Sequence, residues 1–213
     1  TKYEQLNNLI VTARADGEKL AKAERFAKSK NVDTILKGIK LAQSIGKSSY
    51  IYQKAQEAIP EFGLKMLELA ENKLKQKDAD EAIYIAQKIP PISGIESETA
   101  DFISLADAQR NAWTGTVSGL EAAIASAEQI DSNRPIYQKA QKLIAGWQVE
   151  IEDVSRLERA RTLASQGSIG DLSAAINEAK LIPKNNPRAK EARKEINDWA
   201  NQIQIIEDRP FLE

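Results

Sequence analysis

Residues 176–182 read Ile-Asn-Glu-Ala-Lys-Leu-Ile, and Pro183 follows. The skeleton of this stretch, isoleucine, alanine and isoleucine at intervals of three, occurs four times: Ile39–Ala42–Ile45, Ile83–Ala86–Ile89, Ile124–Ala127–Ile130 and Ile176–Ala179–Ile182. An interval of three keeps side chains on one face of a helix. The central alanine leaves room for a neighbouring helix to come close. The first isoleucines are separated by 44, 41 and 52 residues, so the chain reads as a repeat before it reads as anything else.

A second block follows each copy at a fixed distance. Ten residues past the last isoleucine stands a small residue, and four further on another isoleucine: Ala55–Ile59, Thr99–Ile103, Ala140–Ile144 and Ala192–Ile196. Two copies share the words Tyr52-Gln53-Lys54-Ala55-Gln56 and Tyr137-Gln138-Lys139-Ala140-Gln141. Trp147 and Trp199 each come three residues after the isoleucine. Ile151-Glu152-Asp153 with Leu157-Glu158 is echoed by Ile206-Glu207-Asp208 with Leu212-Glu213. The echo predicts that the sequence enters a fifth unit at 208–213 and is a segment of a longer protein.

The punctuation predicts helices between the blocks. Ser118 with Glu121 reads as a capping box. Asn186-Pro187 reads as an N-cap followed by proline in the first turn. Pro90-Pro91 and Pro183 close short helices, since proline cannot continue the hydrogen-bond ladder. Gly167 and Gly170 mark a turn. Short helices are expected at about 34–46, 79–89, 119–130 and 171–182, and long ones at about 49–77, 96–114, 134–166 and 187–207, after an opening helix over 2–29. Pro60 is expected to kink or split the first long helix. No segment alternates with period two for long enough to argue a strand.

The expected fold class is all-α, an α-solenoid of alternating short and long helices. Its one helical-repeat domain over 1–213 has units at about 30–77, 78–114, 115–166 and 167–207. One such unit cannot bury its own apolar face, but stacked units can. The expected core is Ile39, Ile45, Ile83, Ile89, Ile124, Ile130, Ile176 and Ile182, with Trp147 and Trp199 at junctions between units.

Composition narrows the chemistry. Thirty basic and 31 acidic residues nearly cancel, so the electrostatic footprint of a nucleic-acid binder is absent. There is no cysteine and no histidine. That excludes thiolate sites, disulfides and a serine–histidine–aspartate triad, and removes the commonest general base and transition-metal ligand. No stretch approaches the roughly 20 apolar residues that span a bilayer.

Part of each unit is similar to tetratricopeptide repeats. Ala175-Ile176 with Ala179, Ile182 and Pro183 resembles the second helix of that motif, and Ala160, Leu163, Ala164 and Gly167 resemble its first. A closer resemblance is to the repeats of long cyanobacterial proteins labelled chromosome-segregation-ATPase-like. It is carried by Ile182-Pro183, Tyr137 with Ala140-Gln141, Ile144 with Trp147, and Glu207-Asp208 with Pro210 and Leu212. It is best over about 120–213. The label implies an ATPase, but no phosphate-binding loop is present. What the resemblance implies is a larger, membrane-anchored protein of the cell envelope or division machinery.

The remaining candidates are weighed as surface. Glu150, Glu152-Asp153 and Glu207-Asp208 read as solvated helix face, because no loop gathers the oxygen ligands of a cation site. The glycines at 115, 119, 167 and 170 read as turns. The basic groups Lys19, Lys22, Arg25, Lys28 and Lys30, and Lys184, Arg188, Lys190, Arg193 and Lys194, are interleaved with acids and read as solvated faces. Tyr50, Tyr52, Tyr84 and Tyr137 are the candidate protein-binding surface. No catalytic, cofactor or metal residue is expected. The expected function is a non-enzymatic protein–protein interaction scaffold that takes a protein or peptide partner. The alternative is a structural spacer or self-associating rod.

Overall fold

The short helices begin where a side chain can accept from the third backbone amide. Asn31 accepts from Thr34 N, Asp78 from Glu81 N, Thr116 from Gly119 N and Ser168 from Asp171 N. Each bond satisfies one of the donors that a helix start leaves without a partner, worth about 1 kcal/mol. The computed structural model describes residues 2–91 and 94–208. Among the described residues it holds nine helices and no strand: α1 Lys2–Ala27, α2 Val32–Gln43, α3 Tyr52–Lys75, α4 Ala79–Gln87, α5 Glu96–Ala112, α6 Val117–Ala127, α7 Tyr137–Ala164, α8 Ile169–Lys180 and α9 Ala189–Glu207.

These caps correct two expectations. Ser118 is not an N-cap but the second residue of α6, because Thr116 reaches Gly119 N first. Asn186 does not cap α9; Arg188 holds that place without a side-chain bond. The expected opening of a further unit lies outside the described residues beyond Asp208.

Three of the junctions from long to short helix share one device. The residue before the cap is left-handed at Lys77, Gly115 and Gly167, with φ of 63°, 65° and 80°. At Lys77 the turn is closed by Lys77 N on Leu74 O and Asp78 N on Lys73 O, both at 3.0 Å. This pair of bonds is the Schellman closure of a helix end. At the other end of each short helix the block's last isoleucine lies just past the helix and is buried in every copy. Ile45, Ile89, Ile130 and Ile182 each donate their amide to the alanine three residues back.

The chain divides inside α5 into two units, residues 1–107 and 108–213. In the first, α1, α2, α3 and α4 pack each on the next, and α1 also touches α3. Ala23 and Ala27 of α1, Ile35, Ile39 and Ala42 of α2, and Ile59, Phe62 and Met66 of α3 form one core. Ala70 and Leu74 of α3, Ala82, Ile85 and Ala86 of α4, and Phe102 and Ala106 of α5 form another. In the second unit α6, α7, α8 and α9 pack in the same order. There Trp199 meets Ala160, Leu172, Ala175 and Ala179, which joins α7, α8 and α9.

Five of the eight expected core isoleucines are buried, but Ile83, Ile124 and Ile176 are only half-buried. The buried stripe is centred one residue earlier, on Gly38, Ala82, Ala123 and Ala175. Successive residues turn by about 100°, so the isoleucine just after Ala82, Ala123 and Ala175 sits on the flank of the stripe, whereas Ile39 after Gly38 is buried. The small residue is a steric requirement. A Cβ on Gly38 would lie 2.9 Å from Ala23 O and 3.2 Å from Phe26 Cβ. Pro60 does not split α3, which runs unbroken from Tyr52 to Lys75. The bond that proline removes is offset by Ile59 and Phe62, buried on either side of it.

Candidate interaction surface

The four tyrosines hold two kinds of position. Tyr52 and Tyr137 are the first residues of α3 and α7 and are half-buried. Tyr50, in the turn before α3, is 93% exposed. It lines a concavity of about 670 Å³ with Leu9, Ala13 and Ser48. Tyr84 on α4 is 50% exposed. The Lys88 ammonium stands 4.3 Å from the centre of its ring, and both line a separate concavity of about 470 Å³ with Asp33 and Lys73. Tyr50 and Tyr84 thus belong to two different hollows.

One exposed apolar feature was not singled out by periodicity. Tyr3, Leu6, Leu9, Ile10 and Val11, in the first half of α1, are each between 57% and 83% exposed. Every residue from Lys2 to Ala15 is exposed. The spacing of Tyr3, Leu6 and Ile10 by three and four was legible as one helical face. What the sequence did not show is that nothing in the described chain covers that face.

The carboxylates separate likewise. Asp153, expected on a solvated face, is 1% exposed. Asn186 Nδ2 donates to its Oδ2 at 2.7 Å, and Arg156 Nη1 to its Oδ1 at 3.1 Å. Burial is tolerated because each oxygen has a partner. Asn186 Oδ1 accepts from Arg188 N at 2.7 Å, so one side chain ties α7 to the approach of α9. Fifteen residues ahead of the caps Asn31, Asp78, Thr116 and Ser168 stand Asp16, Gly63, Asp101 and Asp153. Asp16 is buried as well. The buried Ser49 hydroxyl, and Lys19 at 3.2 Å, hold the Asp16 carboxyl below the usual carboxylate range. Ser49 follows Asp16, and Asn186 follows Asp153, by the same 33 residues. At Gly63 the pattern is replaced by packing: a Cβ there would collide with Ile95.

Ion pairs connect the helices of the second unit. Arg161 Nη2 donates to Glu191 at 2.7 Å and to Glu195 at 2.6 Å. Arg159 Nη2 donates to Glu178 at 2.8 Å. Arg188, expected on a solvated face, is half-buried. Its Nη1 donates to Glu191 at 2.9 Å, and its Nη2 to the carbonyl of Gly115. The Glu191 carboxyl is held below its usual range, first by Arg188 and then by Arg161.

Among the described residues no group of three acidic side chains is placed to hold a metal ion. Also among them, no helix is long and apolar enough to cross a membrane. Set against protein-family models, curated proteins and solved structures, the chain matches none.

Proposed function

We propose that this chain is a non-enzymatic protein–protein interaction scaffold, built as a TPR-like α-solenoid of short and long helices. The observation that carries the reading is the bare first half of α1, where Leu6, Leu9 and Ile10 lie in water beside the hollow lined by Tyr50. Contiguous exposed apolar surface marks an interaction site. The solenoid reading is supported by a side-chain cap ahead of each short helix, a left-handed residue before three of those caps and a buried small residue in each short helix. The words shared with membrane-anchored cyanobacterial repeat proteins support a place in the cell envelope or division machinery.

A photo-crosslinking residue in place of Tyr50, introduced in the native cells, tests the function. The expected result is a discrete adduct with another protein, lost when Ile10→Asp is added. No adduct above background contradicts the scaffold. The same apolar face favours the rod as second reading, and an adduct of the chain with itself alone would select it.

A further inference from the structure

Five cationic side chains among the described residues are half-buried: Lys73, Lys88, Arg134, Arg156 and Arg188. Four of them are engaged. Asp33 meets Lys88 at 3.4 Å, Asp153 meets Arg156 at 3.1 Å and Glu191 meets Arg188 at 2.9 Å. Arg134 is engaged as well. Lys73 alone has no acidic partner among the described residues. Withdrawing an ammonium from water without a counter-charge costs free energy, so its place needs a reason. Favouring the C-terminal end of α3 is not that reason, since Lys75 does the same from an exposed position in the same turn.

Packing is not the reason either. Four residues before the left-handed turn residues Lys77 and Gly167 stand Lys73 and Leu163. Leu163 packs on the core of Ala160, Leu172 and Trp199, so packing at this place is served by leucine. Seven residues past the same turns stand Tyr84 and Ala174. The repeat therefore demands neither the lysine nor the tyrosine, yet both line one hollow of about 470 Å³, within the size range of ligand sites. Leu69 and Ile85 give that hollow an apolar wall. Lys30 adds a second ammonium with no acidic partner among the described residues. Of the two carboxylates that line it, Asp33 is taken by Lys88, and half-buried Glu81 has no cation among the described residues.

We infer that this hollow binds an acidic residue within an extended peptide of a partner protein. The carboxylate meets Lys73, a main-chain N–H beside it meets Glu81, and a neighbouring apolar side chain lies on the exposed part of the Tyr84 ring. A free small anion answers Lys73 but is repelled by Glu81. A helical partner keeps its N–H groups bonded to itself. An extended peptide offers the carboxylate and the N–H together, and Asn72 and Gln76 on the same wall can both donate to and accept from its main chain. This rests on the scaffold reading and names the chemical class of partner, at a place separate from Tyr50.

A random linear peptide library displayed on phage is panned against the full chain, and enriched sequences are remade as free peptides for calorimetry. The expected peptides carry aspartate or glutamate next to leucine, isoleucine or an aromatic residue. Lys73→Leu, leucine being what the second unit carries there, is expected to weaken their binding about tenfold, the worth of one charge-assisted hydrogen bond. Lys73→Arg is expected to retain it. Exchanging the peptide's acid for its amide is expected to cost the native chain the same factor and Lys73→Leu nothing. The first of these two measurements needs no variant to fold. Enriched peptides without an acid overturn the inference, as do acidic peptides that bind Lys73→Leu undiminished. Failure to enrich any peptide overturns it too: with a retained Tyr50 photo-adduct the hollow alone falls, and with loss of the adduct the scaffold falls as well.

Discussion

The side-chain amide of Asn186 donates to the buried carboxylate of Asp153 at 2.7 Å, across 33 residues of sequence. The pair holds α7 against the turn that launches α9, and Arg156 completes the carboxylate from its other oxygen. A hydrogen bond to a charged group contributes about 1.5–3 kcal/mol, and leaving a buried partner unsatisfied costs about as much. Asn186→Ala is expected to lower unfolding free energy by about 2 kcal/mol in urea titrations. Asp153→Asn, added to it, is expected to cost less than the same change in the native chain, a coupling of about 1 kcal/mol.

Gly115 and Gly167 share a left-handed backbone but not surroundings. A Cβ on Gly167 would meet open space, whereas one on Gly115 would collide with the Arg188 guanidinium. Gly167→Ala is expected to cost about 1 kcal/mol for the conformation alone. Gly115→Ala adds the displacement of Arg188 and is expected to cost at least about 2 kcal/mol. Thermal melts of both variants compare them directly, and equal losses would show that Arg188 contributes nothing at that turn.

The helical glycines divide in the same manner. Gly17 in α1 and Gly146 in α7 have nothing within 4 Å of a built Cβ, so alanine there is expected to stabilise by about 0.5–1 kcal/mol each. Gly38 faces the backbone of α1, and Gly38→Ala is expected to destabilise despite the same gain in helix propensity. Opposite shifts in melting temperature are the readout.

Acid stability follows from Glu191. Arg188 first, and Arg161 next, hold its folded pKa below the unfolded value, which lies near 4.3. A depressed carboxylate contributes stability that is fully present above the unfolded pKa and is lost as pH falls through the folded one. Glu191→Gln is therefore expected to lower stability at pH 6–7 and to converge on the native chain as pH falls through the lowered folded pKa of Glu191. Urea midpoints across that range check the convergence; a constant gap would show that the carboxylate's charge is not what matters.

Much of this fold was legible from four isoleucine–alanine–isoleucine blocks, because a repeated interval of three has few meanings other than a helix face. The phase of burial was not. Gly38, Ala82, Ala123 and Ala175 line the stripe, yet small residues carry little hydropathy and so leave no periodic signal. Asp153 read as surface because a single sequence shows charge but not the Asn186 that meets it from the turn ahead of α9. The caps Asn31, Asp78, Thr116 and Ser168 were readable, each being a short polar residue before an apolar run. The tyrosines drew notice as aromatic residues. Among the described residues nothing covers the face of Tyr3, Leu6 and Ile10, and what covers a face is a property of packing rather than of composition.

The most direct test of the central claim is native-state hydrogen exchange along α1 in the free chain. A helix half with no packing opens locally at little cost, while a packed half opens only with its core. The account predicts rapid exchange over residues 4–15 and at least hundredfold slower exchange over residues 20–27, where Leu20, Ala23 and Ala27 are buried. Equal protection along the whole of α1, in a chain shown to be monomeric, would contradict it.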